Sequence, residues 1–179
     1  MRAATLVRPM TPAGGRGHTG MPTITPCLWF DEAAEDAANH YVSIFPNSRI
    51  TSVSRYTEAG PKPAGTPMVV AFELDGHRFT ALNGGPEFTF NEAVSFQIDC
   101  ADQAEVDHYW GRLTDGGEEG PCGWLKDRYG LSWQVVPAGA DELFNDPDPG
   151  RASRATEAMM GMRKLDIAAL ERAADAMPA

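Results

Sequence analysis

The segment from residue 93 to residue 137 changes its hydrophobic period twice. Apolar and polar residues alternate over 94–99, which is the period-two pattern of a strand with one buried face. Apolar side chains then recur at i, i+3, i+4 and i+7 over 106–113, which predicts a helix with one apolar face. Alternation returns over 131–135, after a turn at 127–130. With a short apolar run before that turn, the predicted order is strand, helix, strand, turn, strand.

A fainter copy of this order precedes the segment. Residues 23–30 form the first predicted strand, and Asp31 is expected to cap the next helix, because an N-cap side chain accepts a hydrogen bond from the first helical turn. Three strands are predicted between residues 50 and 82, two of them joined by an Asp75-Gly76 hairpin turn. Both predicted helices contain a His-Tyr pair, but the shared order of elements is the better argument for a repeat.

The repeat divides the chain into four predicted parts. The segment after Pro137 breaks the pattern and predicts a loop followed by two short helices, 154–160 and 166–175. The start of the chain lacks a continuous apolar run and is expected to be a disordered leader, with Met21 as a candidate natural start. The four parts are the leader at 1–21, a first βαβββ module at 22–86, a second βαβββ module at 87–137, and a loop with C-terminal helices at 138–179.

The composition argues against two classes of partner. The 179-residue chain has a net charge of -10 and no cluster of Lys and Arg of the kind that binds phosphate, so no nucleic acid is expected. No apolar run approaches the roughly 20 residues of a membrane-spanning helix, so no membrane partner is expected. The 3 cysteines form no CxxC pair, which favours a reducing compartment, and we expect a cytoplasmic protein.

Polar residues on otherwise apolar strands are the best candidates for a binding site. Two pairs of residues, Ser95 with Gln97 and Ser132 with Gln134, share the strand face opposite the apolar side chains, so they are expected to point into a hollow. Buried amides and hydroxyls need hydrogen-bond partners, which a ligand, ordered water or one another could supply. The candidate ligand-binding residues are Thr25, Cys27, Trp29, Asn83, Ser95, Gln97, Trp124, Ser132 and Gln134.

Histidines and cysteines are weaker candidates. His40 and His108 lie beside tyrosines on predicted helices, and His77 follows a hairpin glycine, so structural roles are expected for all of them. Cys27 shares a strand face with other candidates, where the role of a small buried apolar residue competes with that of a reactive thiolate. Cys122 is expected near the mouth of the hollow. The sequence assigns no catalytic residue.

Five short motifs carry a resemblance to a known family. They are residues 81–86 (ALNGGP), 90–96 (FNEAVSF), 122–127 (CGWLKD), 132–134 (SWQ) and 162–167 (MRKLDI). With these motifs and the doubled βαβββ order, the chain resembles the PhnB-like branch of the vicinal-oxygen-chelate superfamily, which includes glyoxalases and bleomycin-resistance proteins. This branch is often labelled 3-demethylubiquinone-9 3-methyltransferase. The resemblance covers roughly residues 22–175. It implies an α+β fold in which two βαβββ modules form a cupped eight-stranded mixed sheet with C-terminal helices. It also implies a homodimer.

The resemblance also implies where a metal would bind. Metal-using members take four ligands, His, Gln or Glu, from matching strands of the two modules. In this chain those places fall near Thr25, near Ala93, on Gln134 and between Phe79 and Asn83, where neither a carboxylate nor an imidazole occurs. Divalent metal sites need several such donors, so we expect no metal and no cofactor.

Several functions stay open at this point. The main expectation is a protein that binds a small organic molecule in the hollow, with Gln97 and Gln134 orienting a carbonyl, aromatic or quinone-like substrate if it is an enzyme. The first alternative is a sequestering or resistance protein without catalysis, and another is a dimerisation scaffold whose hollow is filled by its own side chains. A methyltransferase, as the family label states, would need a strand, a Gly-rich loop and a helix, and neither 14–17 nor 83–85 has that context.

Overall fold

The computed structural model describes residues 23–176, so the predicted leader at 1–21 and its candidate start Met21 lie outside the described residues. The described chain forms eight strands and five helices. In chain order they are β1 (Cys27–Phe30), α1 (Ala34–Ile44), β2 (Arg49–Arg55), β3 (Pro67–Leu74), β4 (His77–Asn83), β5 (Ser95–Cys100), α2 (Gln103–Thr114), β6 (Glu118–Glu119), β7 (Trp124–Lys126), β8 (Ser132–Pro137), α3 (Ala140–Phe144), α4 (Pro149–Met160) and α5 (Ile167–Asp175).

The strands form two mixed sheets of the same design. The order is β1-β4-β3-β2 in the first sheet and β5-β8-β7-β6 in the second. Strands β1 and β4 pair in parallel, as do β5 and β8, and the other neighbouring strands pair in an antiparallel direction. The predicted fold class, α+β with two βαβββ units and C-terminal helices, is confirmed. The single eight-stranded sheet is not confirmed, because the hydrogen bonds within residues 23–176 group the strands into two sheets of four.

In the first unit, the hairpin was predicted correctly and the helix cap was wrong. Asp75 and Gly76 both have positive φ angles, 44° and 82°, as the predicted tight turn requires. Helix α1 begins three residues after Asp31, and its first N–H, that of Ala34, donates to Oδ1 of Asn83 at 2.8 Å. A distant amide at the end of β4 therefore caps this helix, in place of the residue that local sequence suggested.

In the second unit, the helix follows its sequence pattern closely. The Asp102 carboxylate caps α2 by accepting from the Glu105 N–H at 2.9 Å. Val106, Trp110 and Leu113 are buried on one face of the helix, as the i, i+4, i+7 spacing predicts. Amphipathic spacing and a strong local cap agree here, so α2 needs no distant contact to define its start.

The core is continuous between the two units. On the sheets, Phe79 of β4 packs edge-on against Phe96 of β5, with ring centroids 5.2 Å apart. On the helix side, Tyr41 of α1 contacts Trp133 of β8 at 5.6 Å and donates its hydroxyl to the buried Asp127 carboxylate at 2.8 Å. The two sheets therefore share one hydrophobic core, and the face of each sheet that points away from this core does not contribute to it.

Backbone hydrogen bonds join the segment between α4 and α5 to the loop that precedes β7 of the second sheet. Met162 and Arg163 accept backbone hydrogen bonds from Cys122 and Gly123 at 2.8 and 2.7 Å. The two predicted helices are present, and Asp166 caps α5 through a bond from the Ala169 N–H at 2.8 Å, whereas α3 was not predicted. Within residues 23–176, no helix combines the length and the apolar composition that crossing a membrane would require.

Candidate functional site

The second sheet carries a cavity of about 470 Å³ on the face that points away from the core. Trp124 and Lys126 come from β7, Ser132 from β8, and Cys122 from the loop between β6 and β7. Side chains alternate along a strand, so Ser132 and Lys126 point to this face while Trp133 points to the core. Lys126 lies opposite Ser132 in the β7–β8 register, which places the polar residues together at one end of the cavity.

Ser132 is the most informative residue of the cavity. Its side chain is only 1% exposed, and its Oγ has no hydrogen-bond partner among the residues that the structure describes. Leaving a buried hydroxyl unpaired costs about 1–3 kcal/mol, so natural structures seldom keep one without a reason. A hydroxyl both donates and accepts, so Ser132 can pair with either kind of polar atom on a molecule that enters the cavity.

Charged side chains surround the polar end of the cavity. The Lys126 ammonium and the Glu92 carboxylate lie 2.5 Å apart. Their hydrogen bond raises the pKa of Lys126 and lowers the pKa of Glu92, so both groups are charged at neutral pH. Glu118 and Glu119 also line the cavity, and Glu119 accepts a bond from the Trp110 indole at 3.0 Å. In the β6–β7 register Glu118 lies opposite Lys126 and shares its face, whereas Glu119 lies opposite the core residue Leu125. Two carboxylates, Glu92 and Glu118, against one ammonium make the cavity a poor place for an anion.

Cys122 borders the other end of the cavity in an unusual backbone conformation. Its φ angle is +56°, a left-handed value that few residues other than glycine adopt. The Cys122 N–H donates to the Met162 carbonyl at 2.8 Å, so the segment before α5 helps to hold this conformation. The Cys122 Sγ lies 3.8 Å from the thioether sulfur of Met160 at the end of α4. The cavity therefore has an aromatic centre at Trp124, a hydroxyl at one end and a thiol at the other.

The structure separates the four polar strand residues that the alternation grouped together. Gln134 donates to the Ser95 hydroxyl at 2.9 Å, so these two residues satisfy each other. Gln97 is exposed and donates to Asp99 at 2.7 Å. Of the four, Ser132 alone lines the cavity described above. The sequence predicted the shared face, and neighbouring side chains decided which group stays unpaired.

Two of the candidates on the first unit lie away from the cavity. Thr25 precedes β1, which begins at Cys27, so it is not part of the predicted strand face. Asn83 is 4% exposed, and both ends of its amide are engaged, since Nδ2 donates to the Pro67 carbonyl at 3.0 Å while Oδ1 caps α1. The contacts of Asn83 give it a structural role in this chain.

The other two candidates of the first unit lie on β1. Cys27 is an exposed free thiol. Trp29 borders a second cavity, of about 510 Å³, and packs edge-on against Phe88 at 5.0 Å. Its indole N–H donates to the Gly85 carbonyl at 2.8 Å, which fixes the ring. The structure therefore assigns Trp29 and Trp124 to different cavities.

Sequence reasoning missed the charged residues of the first cavity. Lys126 could have been found, because it follows Trp124 by two positions on a predicted strand and so shares its face. Glu92 could not, since it lies in an irregular connector where no periodicity indicates direction. Its proximity to Lys126 depends on how the connector crosses the sheet.

The donor set does not fit the metal site that the resemblance implies. Residues 23–176 contain no group of three or more His, Cys, Asp or Glu side chains placed to hold a metal ion. At the implied positions, Thr25 lies outside β1 and Gln134 is bonded to Ser95. Neutral side chains that already bond one another are poor ligands for a divalent metal.

A family model described as 3-demethylubiquinone-9 3-methyltransferase matches residues 22–136 of this chain. The chain belongs to this family. A Bacillus cereus protein of solved structure, whose description pairs the same methyltransferase label with the name PhnB protein, is 36% identical over 65% of this chain and 100% of its own, with a TM-score of 0.59. The resemblance to the PhnB-like branch is thereby confirmed.

A second solved structure supports the fold of this family. It is the crystal structure of protein PA1353 from Pseudomonas aeruginosa, which is 18% identical and has a TM-score of 0.55. The match covers 65% of this chain and 98% of that protein. No curated protein matches the chain.

Proposed function

We propose that this protein binds a small organic molecule in the cavity of the second sheet, without a metal. The observation that carries the proposal is the buried, unpaired Ser132 hydroxyl at the polar end of a cavity with an aromatic centre. The cavity volume, about 470 Å³, lies within the range of small-molecule sites. A cavity of this volume argues against the alternative of a dimerisation scaffold whose hollow is filled by its own side chains.

The charges of the cavity narrow the class of ligand. Glu92 and Glu118 outnumber Lys126, whose ammonium is already paired, so an anionic ligand would meet net repulsion. The Trp124 side chain offers apolar area to a planar molecule. We therefore propose a neutral or cationic, partly aromatic ligand with one polar group directed at Ser132.

Replacing Ser132 with alanine tests this assignment in two directions at once. Ser132→Ala removes a buried unpaired hydroxyl, so the free protein should gain about 1 kcal/mol of stability. The same change should weaken the ligand-induced rise in melting temperature across a panel of neutral and cationic aromatic compounds, since the hydroxyl is lost as a partner. Ser95→Ala is the matched control, because the Ser95 hydroxyl accepts from Gln134 and its loss should destabilise the protein.

Two results would count against the binding proposal. One is a Ser132→Ala variant that is less stable than the wild type, which would mean that the hydroxyl has a partner. The other is a variant that responds to the same compounds by the same amounts. Binding would then use some other part of the molecule.

Whether the protein transforms its ligand is a separate question. The cavity offers a hydroxyl, a thiol and an ion pair, which suit recognition in a sequestering protein as well as catalysis. Incubating a compound that stabilises the protein and following its mass over time separates the two, because a sequestering protein returns the compound unchanged. Gln97 and Gln134, which the sequence suggested as ligand-orienting residues, do not line this cavity and bond Asp99 and Ser95.

The family description also names a methyltransferase, which is the second candidate. A site for S-adenosylmethionine would be expected to place a Gly-rich loop between a strand and a helix. Here Gly84 and Gly85 follow β4 but lead into an irregular connector that ends at β5. We expect S-adenosylmethionine to leave the melting temperature unchanged, and a saturable rise would favour the methyltransferase.

We also propose that the protein is a cytoplasmic homodimer. The resemblance implies a homodimer, and Phe88 and Val94, which are 66% and 65% exposed on the connector that leads into β5, are apolar side chains that such a contact would cover. The free thiols support a reducing compartment. Light scattering at several protein concentrations measures the oligomeric state, and a monomer at all of them would contradict the dimer.

A further inference from the structure

The cavity of the second sheet is extended along β7. Ser132 faces Lys126 at one end, and Cys122 precedes Lys126 by four residues. Cys122 itself lies in a turn, but the carbonyl of the next residue, Gly123, accepts from the Val135 N–H at 2.8 Å, three residues along β8 from Ser132. At about 3.3 Å per residue of strand, three residues cover about 10 Å, so Cys122 and Ser132 lie near opposite ends of the cavity. Trp124 lies between them. A molecule that reaches both groups must be elongated, with its polar group and its reactive group at different ends.

The three thiols of the chain have different surroundings. Cys100 is buried, and burial raises its pKa to about 12, which keeps it protonated and unreactive. Cys27 is exposed at the start of β1. Cys122 is partly buried and lines the same cavity as the unpaired Ser132 hydroxyl. Within residues 23–176, Cys27 lines neither of the two cavities described above, so it is an internal reference for a thiol outside them.

We propose that Cys122 captures elongated, carbonyl-conjugated electrophiles that are held in the cavity by a hydrogen bond to Ser132. The inference rests on the proposed function, since it requires binding in that cavity. A thiol is a soft nucleophile, and Trp124 supplies an aromatic surface for a planar conjugated molecule between the two ends. The Trp124 N–H donates to the Pro121 carbonyl at 3.0 Å, and this turn holds the Cys122 backbone beside the strand that carries Trp124.

The chemical step is an addition in which all atoms are retained. The Cys122 thiol loses its proton to water, and the thiolate sulfur forms a bond to the β-carbon of the conjugated double bond. The π electrons of that bond move onto the carbonyl oxygen as an enolate, which takes a proton from water and returns to the carbonyl form. The product is a thioether, with no leaving group and no oxidant. Ser132 acts as a positioning residue at the far end of the ligand.

Two maleimides that carry the same reactive double bond but differ in length test the proposal. N-(4-hydroxyphenyl)maleimide carries its phenol and its double bond at opposite ends, whereas N-ethylmaleimide lacks the aromatic and polar end. Peptide mass spectrometry follows the rates at Cys122 and Cys27. We expect the Cys122-to-Cys27 rate ratio to be about tenfold higher with the hydroxyphenyl probe, and Ser132→Ala to lower that ratio about fivefold to tenfold, the effect of one hydrogen bond. The ratio with N-ethylmaleimide should not change.

Unreactive N-(4-hydroxyphenyl)succinimide separates failure of the capture from failure of the binding site. Equal rate ratios for the two maleimides overturn the inference, while a rise in melting temperature with the succinimide that Ser132→Ala abolishes keeps the binding proposal. If the succinimide has no effect and the ratios are equal, both proposals fall. Cys122→Ser should abolish the fast labelling and leave the Cys27 rate unchanged, and fast labelling that persists in this variant also overturns the inference.

Discussion

Replacing Asp127 with asparagine tests how much one buried, fully hydrogen-bonded carboxylate contributes to the stability of the shared core. Asp127 is 3% exposed, and its carboxylate accepts four hydrogen bonds. Its Oδ1 accepts from the N–H groups of Tyr129 and Leu131 at 2.8 and 3.1 Å. Its Oδ2 accepts from the Tyr41 hydroxyl at 2.8 Å and the Trp133 indole at 2.9 Å. Asparagine has almost the same shape but only one acceptor oxygen.

The cost follows from which bonds the amide can keep. The amide oxygen can retain both backbone N–H groups, and the Tyr41 hydroxyl can rotate to accept from the new NH₂ group. The Trp133 indole N–H can only donate, so it would face another donor in a buried place, at about 1–3 kcal/mol. The remaining bonds also weaken, because hydrogen bonds to a charged acceptor are stronger than neutral ones. Relief from burying the charge offsets part of this, and we expect a net loss of about 2–4 kcal/mol.

Denaturant unfolding followed by circular dichroism at 222 nm measures this loss, because the helix signal does not depend on the altered tryptophan contact. Asp115→Asn is the matched control, since Asp115 is exposed and paired with Arg128 on the surface, and it should cost at most about 1 kcal/mol. A double-mutant cycle with Trp133→Phe should give a coupling of about 1–3 kcal/mol. Additive costs, or an Asp127→Asn loss no larger than that of the control, would refute the account of this network.

Two further predictions concern single glycines and one histidine. Gly84→Ala would place a Cβ 2.2 Å from the Trp29 ring, so it should cost about 1–3 kcal/mol in denaturant unfolding. Gly111→Ala, on the exposed face of α2, adds a Cβ that meets no heavy atom of residues 23–176 within 4 Å apart from its chain neighbours and the backbone of its own helix. This change should instead stabilise the protein by about 0.5–1 kcal/mol, and equal effects of the two substitutions would contradict the Gly84–Trp29 contact. Burial, and next the Arg128 charge, lowers the pKa of His40 below 6.5, so the unfolded chain binds that proton more tightly. The free energy of unfolding should therefore fall as the pH drops below 6.5, and it should fall less in His40→Gln. Melting temperatures that change with pH by the same amount in both proteins would contradict this.

Local sequence was sufficient where the determining contacts are local. The Asp75-Gly76 turn fixes its hairpin because both backbone conformations are set by the two residues themselves. Helix α2 buries Val106 and Trp110, as their spacing predicted, and the adjacent residue Asp102 caps it. The repeated order of elements follows from these signals, and with it the fold class.

Local sequence failed where a distant group took over a local role. Asp31 was a reasonable cap for α1, but the amide of Asn83 reaches the helix start from the end of β4. The same contact explains why Asn83, a candidate for ligand binding, is engaged in the fold. No pattern within 31–44 could predict the bond between Ala34 and Asn83, because only the β1–β4 pairing brings these two residues together.

The sequence alone determined that Ser95, Ser132 and Gln134 share one face of the second sheet, because side-chain direction along a strand has a strict period of two. The tertiary structure decided that Gln134 bonds Ser95 and that Ser132 is left unpaired beside Trp124. Hydrogen bonding between side chains depends on distances across strands and connectors, which alternation does not contain. The cavity therefore follows from the packing of the chain, while the fold class follows from the hydrophobic pattern of the sequence.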